Sequence, residues 1–478
     1  MEINALASTI VKNLDKKILL SLLTVSTLVI YYFIIVSDGF FGGGDSLAHF
    51  RLAKFSWDHP IYLLDHWGKP FFTLLAVPFT FFGFKGIQFF NLMCGIVSAL
   101  LVAGIAKELK LLYYWLAVPI VLFTPIFFQE FFSGLTEASF AMLLLLSIWL
   151  RLKRHFVLSL LVMSILPFVR TEALLLIAWF GLLDLLERRS IQVALLLIGT
   201  VVYSLIGLVV KGDVLWLLNE MPYAGGDHIY GSGSLFHYFL IMPEKIGRAT
   251  MLATSFGLAV LAIRSWDPSK EERWIISYVV VPLIIYLGFH SIMWYVGRVS
   301  LGLPRMLAVI VPLMAILIIY GFDRLNSMIT SRLIAVFCWL LSYAIVMKTY
   351  GYVELPVPLG DEEKVLKEVA EYIQQNDLTD HKIHYYALYS EMTLGLDPHR
   401  PEQCQQVVHN RANPHEEVKP GSLVIWDAHF SPNEGAMPLM NLTSNEHFEV
   451  LKVFEPEVPF NTLGDQPFQV YLFLRKTD

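Results

Sequence analysis

Apolar residues in this chain gather into runs of about 20, the length at which a helix crosses the hydrocarbon core of a bilayer. Eleven runs can be traced, near 18–36, 86–106, 111–128, 135–150, 156–169, 172–186, 191–210, 248–264, 274–290, 304–322 and 333–349. The expected fold class is a polytopic α-helical membrane protein of about 11 transmembrane helices. Composition agrees: 56% of residues are hydrophobic and 16% charged, where soluble domains carry about a quarter charged residues. The run Ile18–Val36 is longer than the apolar core of a signal peptide and lacks a small-x-small site after it, so it reads as a span. Segment 70–83 is apolar but interrupted by Pro70 and Pro78, and is expected to lie at or dip into the interface. Cys94 and Cys338 fall inside apolar runs and Cys404 stands alone beyond them, which gives no disulfide framework.

Basic residues orient the spans. Lys12, Lys16, Lys17, Lys107, Lys110, Arg151, Lys153, Arg154, Arg188, Arg189, Arg264, Lys270, Arg273, Arg324 and Arg332 all fall in one alternate set of short loops. Short basic loops stay cytoplasmic, so the N-terminus is expected inside. An odd number of spans puts the segment after Lys348 outside, together with the long loops 37–69, 211–247 and 290–303. Two domains follow: a membrane domain over 1–350, with its large first outward loop at 37–69, and a periplasmic domain over 351–478. In the latter, Asp361 to Gln375 reads as an amphipathic helix with Val365, Leu366, Val369, Ala370 and Ile373 on one face. Short β-type runs follow at 383–388, 422–427, 447–454 and 467–475, which predicts a small C-terminal α/β domain. The sequon Asn441-Leu442-Thr443 carries no weight by itself.

Charged side chains beside spans are costly and therefore candidates for function. The densest group is the first outward loop: Gly42-Gly43-Gly44-Asp45-Ser46-Leu47-Ala48-His49, then Asp58-His59-Pro60, then Asp65-His66-Trp67-Gly68-Lys69-Pro70. Asp45 and His49 share a face if the segment is helical. An amphipathic interfacial helix with solvated charges explains the same residues equally well. Glu130 and Glu137 flank an outward turn, and Arg170 and Glu172 sit where two short spans meet. The plain reading of Arg170 with Glu172 is a structural ion pair. Arg298 and Arg305 bracket the start of a late span. A cation opposes the helix dipole at Arg305, an objection that a bound phosphate would remove. Acids, arginines and a lysine on one face suit an anionic lipid head group.

The order of these features resembles the GT-C superfamily of membrane glycosyltransferases, especially bacterial relatives of the protein O-mannosyltransferases and the aminoarabinose lipid A transferases. Asp45 in Gly-Gly-Gly-Asp-Ser-Leu-Ala-His matches the catalytic acid of their first outward loop. His66-Trp67-Gly68-Lys69-Pro70-Phe71-Phe72 looks like their basic or His-Pro element, with Lys69 at the position of a lysine that contacts lipid phosphate. Leu135-Thr136-Glu137, Phe168-Val169-Arg170 and the late Arg305 follow the same layout. Two departures stand out: Ser46 replaces the second member of a frequent acidic pair, and Gly-Lys-Pro replaces a two-proline element.

The resemblance implies transfer of a sugar, a hexose such as mannose, from a polyprenyl-phosphate donor to a hydroxyl on a glycan, lipid or protein acceptor, with inversion at the periplasmic face of a bacterial inner membrane. Asp45 would be the general base. Lys69, Arg170 and Arg305 would stabilise the departing phosphate. His49 would orient Asp45 or meet the acceptor, and Asp65, His66 and Arg298 would complete the substrate contacts. Glu137 would hold a sugar hydroxyl or, in a metal-dependent variant, a divalent cation such as Mg or Mn. The bilayer is a partner and nucleic acid is not. The competing classes are a transporter or flippase of lipid-linked sugars and a polymer ligase. The chain shows no internal repeat of the transporter kind, and its acid-rich loop comes first, where ligases carry their main loop late.

Overall fold

The computed structural model describes residues 2–221, 231–298, 301–326, 329–462 and 466–477. The chain divides into two compact units, Met1–Ser37 with His49–Val357 and Asp38–Ala48 with Pro358–Asp478. Residues 38–48, expected with the membrane domain, thus group with the tail. Part of the loop 211–247, and Val299 and Ser300 of the motif between Arg298 and Arg305, lie outside the described residues.

In the first unit, seven helical stretches among the described residues are long and apolar enough to cross a membrane: Asp15–Val36, Pro70–Glu108, Ser190–Lys211, His237–Arg264, Lys270–Val296, Pro304–Leu325 and Ser331–Tyr350. Seven is fewer than the expected 11, and the difference falls entirely in four consecutive runs. The run at 111–128 breaks at Thr124, whose backbone is extended ahead of Pro125, because a residue before proline is disfavoured in the helical region. The run at 156–169 tightens into a 3-10 turn at Leu166–Phe168 around Pro167. Glu137–Leu152 and Ala173–Leu186 have 16 and 14 residues. At 1.5 Å per residue they reach about 24 and 21 Å, short of the ~30 Å hydrocarbon core.

The first 13 residues of Pro70–Glu108 are a separate piece, as their prolines imply. The backbone turns at Gly83 (φ 65°, ψ −157°), a conformation that a side chain would strain. Beyond it, the Phe79 carbonyl lies against Gly86, where a Cβ would collide, and the Phe79 ring sits 5.0 Å from Phe90. The segment therefore folds back on the helix Gly83–Glu108, leaving Phe81 and Phe82 exposed. Lys85, at the start of that helix, donates to the carbonyls of Ile34 and Ser37. A cation there satisfies the open C-terminal end of Glu2–Val36 and complements its dipole.

Pro304–Leu325 is the core helix of this unit, with every residue from Met306 to Gly321 buried. It is apolar on all sides, as a helix surrounded by others should be. Its neighbour Arg248–Arg264 comes close enough that a Cβ on Gly257 would collide with the Leu317 carbonyl. Small residues allow such approach between membrane helices. Gly257→Leu is expected to cost at least about 1–3 kcal/mol by overpacking, read as a lower unfolding midpoint in detergent. Gly288→Ala, at a position with nothing within 4 Å of the added carbon, should leave the midpoint unchanged.

The second unit is an open α/β sheet with helices. Strands β1 (Ile383–Tyr385), β2 (Cys404–Gln406), β3 (Leu423–Asp427), β4 (Phe448–Phe454) and β5 (Val470–Arg475) pair in the order β2-β1-β3-β5-β4. The β1 strand runs parallel to β2 and β3, whereas β5 is antiparallel to β3 and β4. β3 is central and buried along its whole length. The helix Asp361–Gln375 forms as expected and buries Val365, Leu366, Val369, Ala370 and Ile373. Edge strand β2 was not expected.

Candidate active site

The candidate site in the helical unit is assembled from four turns. The first is the turn between Pro125–Glu130 and Glu137–Leu152. Two fully buried amides on Gly83–Glu108 clamp it: Asn91 donates to the carbonyls of Glu130 (3.1 Å), Ser133 (2.9 Å) and Leu135 (3.2 Å), and Gln88 donates to Phe132 (3.1 Å). Amides buried in an apolar helix must be partnered, and here their partners fix the carboxylate of Glu137. Glu137 begins its helix, where an acid is favoured by the dipole.

The second turn, between Leu166–Phe168 and Ala173–Leu186, presents Arg170. Its Nη1 donates to Glu137 Oε1 (2.7 Å) and Thr136 Oγ1 (3.1 Å), and its Nη2 to Glu172 Oε1 (2.8 Å). The plain ion-pair reading of Arg170 with Glu172 is therefore met, with Glu137 as an additional partner. His290, on Val281–Val296, places Nε2 3.3 Å from Glu172 Oε1. Burial alone would raise the Glu172 carboxyl, but Arg170 and His290 hold it well below the ordinary carboxylate range. Glu130 shows the opposite outcome: burial, then repulsion from Glu137, push its carboxyl well above that range.

The third turn brings Arg305, whose Nε stands 3.3 Å from Glu137 Oε1. That carboxylate answers the dipole's objection to a cation at the start of Pro304–Ile310. The fourth turn carries Lys69. Asp65 Oδ1 accepts from the Gly68 N–H (2.6 Å), and the Thr73 hydroxyl donates to the Gly68 carbonyl (2.9 Å). These bonds hold Lys69 in a left-handed conformation (φ 64°) just before Pro70, strain of the sort that collects at functional sites. Lys69 Nζ donates to Thr171 Oγ1 (3.0 Å) and the His66 carbonyl (3.3 Å). It makes no ion pair with a carboxylate among the described residues, and burial lowers its ammonium to about 8. His66 is buried edge-on to Trp216, and burial with the charge of Lys69 lowers its imidazole to about 4.

The structure thus brings together Lys69, Glu137, Arg170 and Arg305, with Asp65 and His66 supporting Lys69. Lys69, Arg170 and Arg305 thus gather around the turns that carry Glu137 and Glu172. His49 lies on the helix Gly43–Phe55 and is stacked on Trp67 (5.0 Å, 18°). Asp45 is in the first turn of that helix, within the part assigned to the tail unit. Arg298 is exposed and makes no side-chain hydrogen bond or ion pair among the described residues. His290 and Thr171 were not anticipated. A lone imidazole inside an apolar run is the signal that points to His290.

Glu137 Oε1 faces two guanidinium groups, and among the described residues no group of three His, Cys, Asp or Glu side chains is placed to hold a metal ion.

No protein-family model matches the chain, and no curated protein matches it in sequence. Solved structures do. ArnT from Cupriavidus metallidurans, bound to undecaprenyl phosphate, matches over 95% of this chain and 97% of its own, with a TM-score of 0.63 and 11% identity. The archaeal oligosaccharyltransferase AglB from Archaeoglobus fulgidus, in complex with an inhibitory peptide and a dolichol-phosphate, matches over 86% of this chain and 69% of its own (TM-score 0.51, 13% identity). This chain thus shares the overall fold of those two structures.

Proposed function

We propose that this protein is an integral membrane glycosyltransferase. It moves a sugar, a hexose of the mannose type, from a polyprenyl-phosphate donor to an acceptor hydroxyl, with inversion, at the outer face of a bacterial inner membrane. One observation carries the reading: a near full-length match to a structure holding undecaprenyl phosphate, in a chain whose helical unit gathers Lys69, Arg170 and Arg305 in one cluster. The basic short loops support a cytoplasmic N-terminus. The four apolar runs too short or too broken to count as spans all lie between Glu108 and Ser190. Their number is even, so the tail ends opposite the N-terminus whether they cross or turn back in pairs.

Asp45 removes the proton of the acceptor hydroxyl as that oxygen attacks the anomeric carbon and the bond to the lipid phosphate breaks. The charge that develops on the phosphate is met by Lys69 and Arg305, with Arg170 held in place by Glu137 and Glu172. Groups fixed before the reaction stabilise such charge without reorganising. Asp65 and His66 keep Lys69 in position. His49, Trp67 beneath it, and Arg298 contribute to substrate contacts outside the phosphate cluster.

The test is binding of undecaprenyl phosphate to purified protein in nanodiscs. Lys69→Met should weaken it about 10- to 100-fold, the 1.5–3 kcal/mol of a hydrogen bond to a charged group, with no loss of thermal stability. Because the ammonium titrates near 8 in the free protein, affinity should fall as pH rises past that value, and the variant should show no such fall. Equal affinity in both proteins would remove the phosphate-binding role of Lys69.

A further inference from the structure

Residues 38–48 carry the proposed base, and three contacts within the second unit hold them. Gly39 lies against the Pro358 carbonyl, where a Cβ would collide. The Phe40 ring stacks on Tyr389 (6.2 Å, 28°). A Cβ on Gly44 would stand 3.3 Å from the ring of Phe430. Phe430 is therefore seated over the first turn of Gly43–Phe55, one residue ahead of Asp45.

Phe430 is itself tightly held. It leaves the end of central strand β3, where the buried Asp427 accepts from the N–H groups of His429 (3.0 Å) and Phe430 (2.5 Å) and from the Ser431 hydroxyl (3.2 Å). His429 Nδ1 meets both carboxylate oxygens of Glu362 (3.0 and 2.9 Å), which ties the loop to Asp361–Gln375. The N–H groups of Glu434 and Gly435 return to the Phe430 carbonyl (3.0 and 2.9 Å) and close the loop. Glu434 and Asp45 are within electrostatic reach of each other.

We infer that Phe430 is a positioning residue for Asp45, and that the C-terminal domain works in the transfer step by setting where that carboxylate stands. The inference rests on Asp45 being the general base. A base acts only within ~2.6–3.2 Å of the proton it removes, and a displacement of about 1 Å can cost on the order of 100-fold in rate.

The experiment measures acceptor-dependent release of polyprenyl phosphate by the full chain. Phe430→Ala should lower kcat by roughly 10- to 100-fold while the donor KM, set by the Lys69 cluster, stays within about twofold. Phe430→Leu should recover most of the loss. Should Phe430→Ala fail to fold, Gly44→Ala carries the same question: its methyl crowds the ring, so kcat should fall and recover in Gly44→Ala/Phe430→Leu. Unchanged kcat in Phe430→Ala, or no recovery in the pair, overturns the positioning role if Asp45→Asn is inactive. An active Asp45→Asn overturns instead the reading on which the inference rests.

Discussion

Asp45→Asn is expected to lower turnover by about 10²- to 10⁴-fold, the range that a positioned general base contributes, while donor affinity and stability are kept. Asparagine matches aspartate in size and remains acceptable in the first turn of Gly43–Phe55, so the change removes the basic oxygen and little else. The proposed binding of the lipid phosphate rests on Lys69 and Arg305, with Arg170 as support, and should survive. The check is kcat beside the affinity for undecaprenyl phosphate on one preparation. A loss of both together would mean that Asp45 serves binding or folding.

Arg170→Ala should instead cost stability, about 3–5 kcal/mol, the usual penalty for removing one partner of a buried ion pair. Arg170 is the shared partner of Glu137 and Glu172, whose side chains are 1% and 14% exposed. Its loss leaves Glu137 with Arg305 and Glu172 with His290, each at 3.3 Å. The pH dependence has a definite sign. Glu172 is held well below its ordinary value of 4.5 in the folded protein. It therefore stabilises the fold above about 4.5 and loses that contribution as the pH falls through the lower folded value. In Arg170→Ala the two buried carboxylates, each short of its nearest cation, gain from protonation, so acidification should raise the unfolding midpoint relative to neutral pH. A midpoint like that of the unaltered protein would show that the network does not hold these turns together.

The contrast with Lys69→Met separates support from chemistry within one cluster. Arg170 has both ends of its guanidinium tied to carboxylates, whereas Lys69 is bonded to a hydroxyl and a carbonyl. The first is expected to fail by unfolding and the second by losing the donor.

Periodicity makes some of this architecture legible in the sequence. The helix Asp361–Gln375 buries the five residues that its 3.6-residue spacing selects, and four strands fall inside alternating or β-branched runs. β2 escapes because three residues at a sheet edge are too few for a pattern. The span count is overestimated where proline sits inside an apolar run, since hydropathy does not register the break at Thr124 or Leu166. Charge next to spans points to Lys69, Glu137, Arg170 and Arg305, because uncompensated charge there is costly. Spacing could not show that Arg170 and Arg305, 135 positions apart, share one oxygen of Glu137. Nor could it show that the turn Asp65–Gly68 exists to present Lys69, although Asp-x-x-Gly is a recognisable turn pattern.

The central claim is cleavage of a lipid-phosphate sugar. The direct measurement is incubation of the purified protein in detergent with radiolabelled undecaprenyl-phosphate mannose, and separately with the aminoarabinose-linked lipid, each with and without a bacterial envelope extract as acceptor. Acceptor-dependent release of undecaprenyl phosphate, with label appearing in the extract and none of either with Asp45→Asn, is the predicted result. Donor left intact with every extract, while the same protein in sealed vesicles carries the whole labelled lipid across the bilayer, would contradict the account and identify a flippase.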